Sequence, residues 1–308
     1  MFNKTLFAAL LMGSLHLAGH AAPAADSPLA QVEALFAWER SASWDSTLLR
    51  KQGMLAAYQS LRPWVQSSKS RLQELSEAEL RALFKLMDLL GWSVGGNEYA
   101  DLMQALVGEF EARGATDLKQ LEETLAINLV ALRRFDEVRA LHQRKPHLAI
   151  EFLPPVLDQS RALAPGYRIY QPDAKTQSLR LLDVVSSPEL RVYVVGTIAC
   201  GFSRKASDAI EAHPELKARM ASSSLWFDSA VGRLYFKDVL SWNASHPATQ
   251  LNYVVSEDDW PFIDSWATPT FYFVKNGRLV QKVQGWPDNK TGVERLLKAF
   301  AAAESAAS

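Results

Sequence analysis

One cysteine, Cys200, is the only thiol in the 308-residue chain, and its neighbours are of the kind that turn a thiol into a nucleophile. It follows the apolar, strand-like run Arg191-Val192-Tyr193-Val194-Val195-Gly196-Thr197. After it, Gly201-Phe202-Ser203-Arg204-Lys205-Ala206 reads as the opening of a helix. A cysteine at such a junction sits at the positive end of the helix, where free backbone N–H groups favour a thiolate. Ser203, three residues on, shares its face and can hydrogen-bond the sulfur. Arg204 and Lys205 add positive charge. Each effect lowers a thiol pKa, and the thiolate is the species that attacks a disulfide sulfur. A lone cysteine excludes an internal disulfide. What remains is a reactive group, a bridge between two chains, which would make a dimer, or an inert buried side chain.

The elements that must position this thiol are legible beyond the break at Leu163-Ala164-Pro165-Gly166. Apolar runs of strand length occur at 167–170, 178–184, 191–196, 225–227, 251–255, 270–274 and 279–283. Helical stretches are expected at about 201–220, 232–243, 257–265 and 290–302. Strands alternating with helices predict an α/β sheet. The last two strands flank Lys275-Asn276-Gly277-Arg278, and Asn-Gly between apolar runs marks a tight hairpin.

Residues 167–302 resemble a thioredoxin-like domain. Cys200-Gly201-Phe202-Ser203 stands in the place of the family's CxxC site. Ala267-Thr268-Pro269-Thr270-Phe271-Tyr272-Phe273-Val274-Lys275-Asn276-Gly277, with Gly285 beyond, is similar to its proline-strand-hairpin signature. The resemblance implies a central mixed sheet flanked by helices and a cis Thr268–Pro269 bond beside Cys200. It also implies that the backbone of Thr268 pairs with an extended substrate segment by strand addition. Cys200 and Ser203 would then carry the chemistry, and Gly201, Phe202, Thr268 and Pro269 would line the substrate.

Three departures limit what that resemblance implies. Ser203 replaces the second cysteine, Ala199 replaces the tryptophan before the first, and Val194 stands where a buried acid is often found. Dithiol turnover is therefore not expected. A monothiol protein can attack or capture a disulfide once and then needs another thiol, such as glutathione as co-substrate, for release. Cys-Gly-Phe-Ser also occurs in monothiol glutaredoxins that hold iron–sulfur clusters, but the lysine before that motif and the glycine-rich glutathione contact have no counterpart in Val195 to Ala199 or in Gln284-Gly285-Trp286-Pro287. The sequence thus supports two functions: an exported monothiol exchanger or trap for client proteins with thiols or disulfides, or a redox-silent protein-binding scaffold with a degenerate thioredoxin domain. No metal or resident cofactor is expected.

Residues 26–163 read as an all-α domain of helical hairpins. Leu80, Leu83, Phe84, Met87 and Leu90 keep helical spacing, Ser76 and Glu79 form a capping box, and Gly91 is a natural stop. Tyr99, Leu102, Met103, Leu106 and Phe110 repeat the pattern up to Gly114. A third helix opens at Thr116-Asp117, and a fourth carries Phe135, Val138 and Leu141 before Pro146. The recurrence resembles tetratricopeptide hairpins over one or two repeats, with an irregular bundle as the plainer reading.

Met1-Phe2-Asn3-Lys4, the apolar run Leu6 to Ala18 and the small residues after it have the layout of a secretory leader over 1–21. An exported location, the bacterial periplasm, is expected. Lys and Arg total 33 against 34 Asp and Glu, a formal charge of −1, which argues against nucleic acid as a partner because phosphate binding needs clustered cations. No later run is long enough to span a membrane. Trp226, Phe227, Tyr235, Phe236 and Trp242 read mainly as sheet cover. His142 and His147 fall on different helix faces, and His213 and His246 read as loop residues.

Overall fold

The computed structural model describes residues 27–42, 47–160, 167–229 and 233–306; the expected leader and the break at 163–166 lie outside them. Among the described residues seven α-helices come first: α1 (Pro28–Ser41), α2 (Thr47–Tyr58), α3 (Arg62–Lys69), α4 (Glu77–Ser93), α5 (Asn97–Ala112), α6 (Leu118–Ala131) and α7 (Phe135–Arg144). There follow β1 (Val156–Asp158), β2 (Arg168–Asp173), β3 (Ser178–Asp183), β4 (Arg191–Val195), α8 (Gly201–Ala212), α9 (Pro214–Ser223) and β5 (Ser224–Asp228). The chain ends with α10 (Phe236–Ser245), β6 (Leu251–Val254), β7 (Thr270–Lys275), β8 (Arg278–Gln284) and α11 (Asn289–Ser305). A helical region followed by an α/β region is the order the sequence predicts.

The apolar spacing explains the helical region. Leu80, Leu83, Phe84, Met87 and Leu90 of α4 are buried against Leu102, Met103, Leu106 and Phe110 of α5 and Leu125 and Leu129 of α6. The capping box at Ser76 and Glu79 is present: Glu79 N donates to Ser76 Oγ (3.3 Å) and Ser76 N donates to Glu79 Oε2 (2.8 Å). Gly91, however, does not stop α4, which runs on to Ser93 and turns at Gly95 and Gly96, both at positive φ. Gly91 serves packing instead, because a Cβ there would collide with Asn128 of α6.

Among the described residues the strands form one eight-stranded mixed sheet in the order β1-β3-β2-β6-β5-β4-β7-β8. β5 runs parallel to both β4 and β6, whereas β7 is antiparallel to β4 and to β8. Asn276 and Gly277 both take positive φ (51° and 70°) in the β7–β8 turn, as the dipeptide predicts. β1 is an addition the sequence reading missed. This three-residue strand from the end of the helical region pairs in parallel with β3 at the sheet edge.

Two further expectations need correcting. The stretch 201–220 is two helices, because His213-Pro214 ends α8 and starts α9, with the His213 ring accepting from Leu216 N. The stretch 257–265 is not an α-helix but a single turn of 3₁₀-helix at Glu257–Asp259 followed by irregular chain. Two of its acids meet cations, the exposed Asp258 at Lys51 (3.2 Å) and the largely buried Asp259 at Arg168 (3.5 Å).

One hydrophobic cluster runs from the helices through one face of the sheet. Phe135 of α7 meets Tyr170 of β2 at 5.7 Å in an edge-on contact. On the other face Trp260 packs among Tyr167, Tyr193, Phe227 and Phe262. Trp226, Phe227 and Phe236 are buried as sheet cover, while Tyr235 is partly exposed.

Candidate active site

The thiol is placed by the two elements the sequence indicated. Cys200 is the N-cap residue of α8, its carbonyl accepting from Arg204 N (3.1 Å), and its own N–H is tied back to the Thr197 carbonyl (3.2 Å). Ser203 is buried within the first turn of α8. Thr268 approaches from the other side, and the Thr268–Pro269 bond is cis. Cys200 Sγ donates to the Thr268 carbonyl at 3.4 Å. Residues far apart in the chain therefore meet because β7, which follows Pro269, lies antiparallel beside β4, with Val195 opposite Thr270.

Partial burial by itself pushes the Cys200 thiol up. The Thr268 side chain, the N–H groups of Ser203 and Phe202 and the Ser203 hydroxyl more than offset it, so the thiol ionises below its ordinary range. The bond to the Thr268 carbonyl exists only while the thiol is protonated. On ionisation that carbonyl loses its donor, and an incoming N–H can take the vacated position. Arg204 and Lys205, expected to help, lie exposed along α8 and are not among the groups that shift the thiol. The lowering is hydrogen-bonded rather than ionic.

Gly201 and Phe202 are both exposed, Phe202 at 55%, beside a cysteine that is itself only partly covered. Pro269 is buried and Thr268 half-buried. All six residues singled out in the sequence thus lie at one end of the sheet. Ser203 has a second task, since its Oγ accepts from Thr197 N (3.4 Å) and so braces the loop leading to Cys200. Behind it Thr197, Ser207, Trp226, Trp242 and Leu251 close the site from within.

The sequence reading passed over one buried carboxylate beside the thiol loop. Val194 is wholly buried, and the carboxylate at this end of the sheet comes from the neighbouring strand, as Asp228 at the end of β5. Because Val195 pairs with Phe227 and Gly196 N donates to the Phe227 carbonyl (3.1 Å), Asp228 lies beside the Thr197 turn. Desolvation pushes its carboxyl up to about 6, against the opposing hydrogen bond from the Thr197 side chain and the charge of Arg133. The signal in the sequence is an acid closing the apolar run Leu225-Trp226-Phe227.

No protein-family model, curated protein or solved structure matches the chain. Among the described residues no group of three or more His, Cys, Asp or Glu could hold a metal ion, and no helix is long and apolar enough to cross a membrane. His246 stacks on Trp242 at 3.6 Å and bonds Asp208 (2.9 Å), a structural arrangement at the end of α10. A cavity of about 190 Å³ lies between α5, α6 and α7, where Lys145 bridges Glu111 (2.7 Å) and the buried Glu122 (3.1 Å).

Proposed function

We propose that the chain is an exported, periplasmic thioredoxin-like protein in which Cys200 forms mixed disulfides with client proteins. The observation that carries this reading is the sulfur at the N-terminus of α8, bonded to the Thr268 carbonyl at 3.4 Å beside the cis Thr268–Pro269 bond. The thiolate attacks one sulfur of a client disulfide, a Cys200–client S–S bond forms, and the other client sulfur leaves as a thiolate that takes up a proton. With no second thiol in the chain, release requires an external thiol such as glutathione, whose thiolate attacks the client sulfur of the mixed disulfide, forms a glutathione–client S–S bond and returns Cys200 as thiolate. The Thr268 backbone supplies main-chain pairing to an extended client segment, and exposed Phe202 supplies an apolar contact. The consecutive antiparallel helices α4 to α7 support a tetratricopeptide-like platform that selects or holds clients.

Difference ultraviolet spectra of the wild type and Cys200→Ser against pH test this directly. The thiolate absorbance should appear below the free-thiol pKa of ~8.5. Ionisation at or above that value would favour the redox-silent scaffold, in which Cys200→Ala leaves client binding unchanged.

A further inference from the structure

The turn between α6 and α7 departs from the two turns before it in one respect. After α4 and after α5 the left-handed residue that ends the helix is a glycine, Gly95 and Gly114. After α6 it is Arg133, at φ 59°. The capping bonds are those of a glycine turn, with Arg133 N on the Val130 carbonyl (3.0 Å) and Arg134 N on the Leu129 carbonyl (2.9 Å). An arginine there carries a conformational cost that glycine does not. Its side chain is what the position gains. Arg133 Nε donates to the Val254 carbonyl at the end of β6 (3.1 Å), Nη2 to the Ser229 carbonyl just past β5 (3.3 Å), and the guanidinium lies 5.9 Å from the Tyr253 ring.

Those contacts bracket Asp228, which is 4% exposed beside the Thr197 turn, where Gly196 N donates to the Phe227 carbonyl (3.1 Å) and so joins the end of β5 to the thiol loop. The Thr197 hydroxyl in turn accepts from Ala199 N (3.3 Å), and the Thr197 carbonyl accepts from Cys200 N (3.2 Å). A continuous path thus leads from the helical region to the thiol loop. We propose that Arg133 and Asp228 are positioning residues through which the helical region sets the reactivity of Cys200: Arg133 keeps Asp228 ionised, and the carboxylate fixes the Thr197–Cys200 loop through the Thr197 hydroxyl. The inference rests on the thiol reading above and deepens it, because a client held on the helices would act on the thiol through this path.

The charged and titratable groups around the pair come from several elements. Arg133 faces Asp228, Tyr170 of β2, Tyr253 of β6 and Glu257, and Asp228 itself faces Arg133 and Tyr253. Among them Arg133 is the only cation, and its charge holds the Asp228 carboxyl lower than burial alone would. Desolvation pulls Arg133 below its usual value, but an arginine stays charged throughout the working range.

The test is the rate of Cys200 alkylation by iodoacetamide against pH in the full chain, comparing wild type with Arg133→Gly and Asp228→Asn. Arg133→Gly keeps the turn in its preferred residue type, so the helix end is retained while the guanidinium is lost. The wild-type profile should show, besides thiol ionisation, a second inflection near the Asp228 titration at about 6. Arg133→Gly should move that inflection upward, Asp228→Asn should remove it, and each should slow alkylation near neutral pH by about fivefold, the low end for coupled sites. Faster alkylation in Asp228→Asn would mean simple relief of charge repulsion and would overturn the proposal. A wild-type profile with one inflection, or an Arg133→Gly profile superimposable on it, would overturn it equally. A thiol that ionises in the ordinary range while the second inflection is present would sink the thiolate reading and leave the coupling standing.

Discussion

The helical region and the Cys200 end of the sheet handle charge in opposite ways. Along α4 to α7, most charged side chains pair at the surface; buried Glu122 is the exception, and it has a direct cation partner in Lys145 (3.1 Å). Arg81 binds Glu77 and Asp117, Arg113 reaches the Leu72 and Leu75 carbonyls, and Arg134 binds Asp101 and Glu137. These contacts fix which helix lies beside which and are worth little individually. At the Cys200 end a carboxylate is buried without a direct cation partner among the described residues, an arginine is aimed into the sheet from the helical side, and a thiol is bonded to the Thr268 backbone. Exposed pairs set register, whereas desolvated groups shift pKa values and so bear on reactivity.

Both regions nevertheless share one core, so the comparison breaks first at their junction. Phe135→Ala should destabilise the protein by about 3–5 kcal/mol. Denaturant unfolding followed by tryptophan fluorescence and by circular dichroism should give coincident, shifted midpoints. Separate transitions would mean that the two regions fold independently.

Next in size is the buried carboxyl. In the folded chain Asp228 titrates at about 6 against 3.8 for an ordinary aspartate. The folded state therefore holds this proton more tightly, and the group's contribution to stability, fully present below pH 3.8, is lost as pH rises to about 6. The loss amounts to at most about 3 kcal/mol. Asp228→Asn should flatten that part of the stability–pH curve, and an unchanged slope in the variant would show the carboxyl is not desolvated.

Ser203→Ala sharpens the comparison at the thiol. It removes both the hydroxyl beside the sulfur and the brace on Thr197, so Cys200 should ionise at higher pH and alkylate several-fold more slowly near neutrality, as a pH series would read. Arg204→Gln, by contrast, should leave the profile in place. In the helical region Ser76→Ala should cost about 1 kcal/mol by thermal or chemical melting and leave Cys200 alkylation untouched.

What the sequence made legible follows from local chemistry. The Ser76 box, the Asn276-Gly277 turn and the Cys200 helix start are short-range patterns, and each is found where its residues put it. Thr268 and Pro269 beside Cys200 came through a resemblance, not through spacing. Gly91 misled because a glycine near a helix end reads as a stop, whereas here it makes room for Asn128 of another helix. The run 257–265, expected as a helix, stops after one turn: Glu257, Asp258 and Asp259 suit a helix start, but the chain does not continue it. Asp228 is visible in the sequence only as an acid closing the apolar run Leu225-Trp226-Phe227, and nothing local marks what it or Arg133 meets. The role of Asp228 depends on β5 lying parallel beside β4, and that of Arg133 on which helix turn faces the sheet ends.

The most direct test of the central claim is the reaction of the full chain with glutathione disulfide near neutral pH, followed by intact mass and compared with Cys200→Ser and with a free cysteine peptide. A single reductant-sensitive glutathione adduct on the wild type, absent from Cys200→Ser and formed faster than on the free peptide, is the result the account predicts. No adduct, or one formed no faster than on the free peptide, would contradict it.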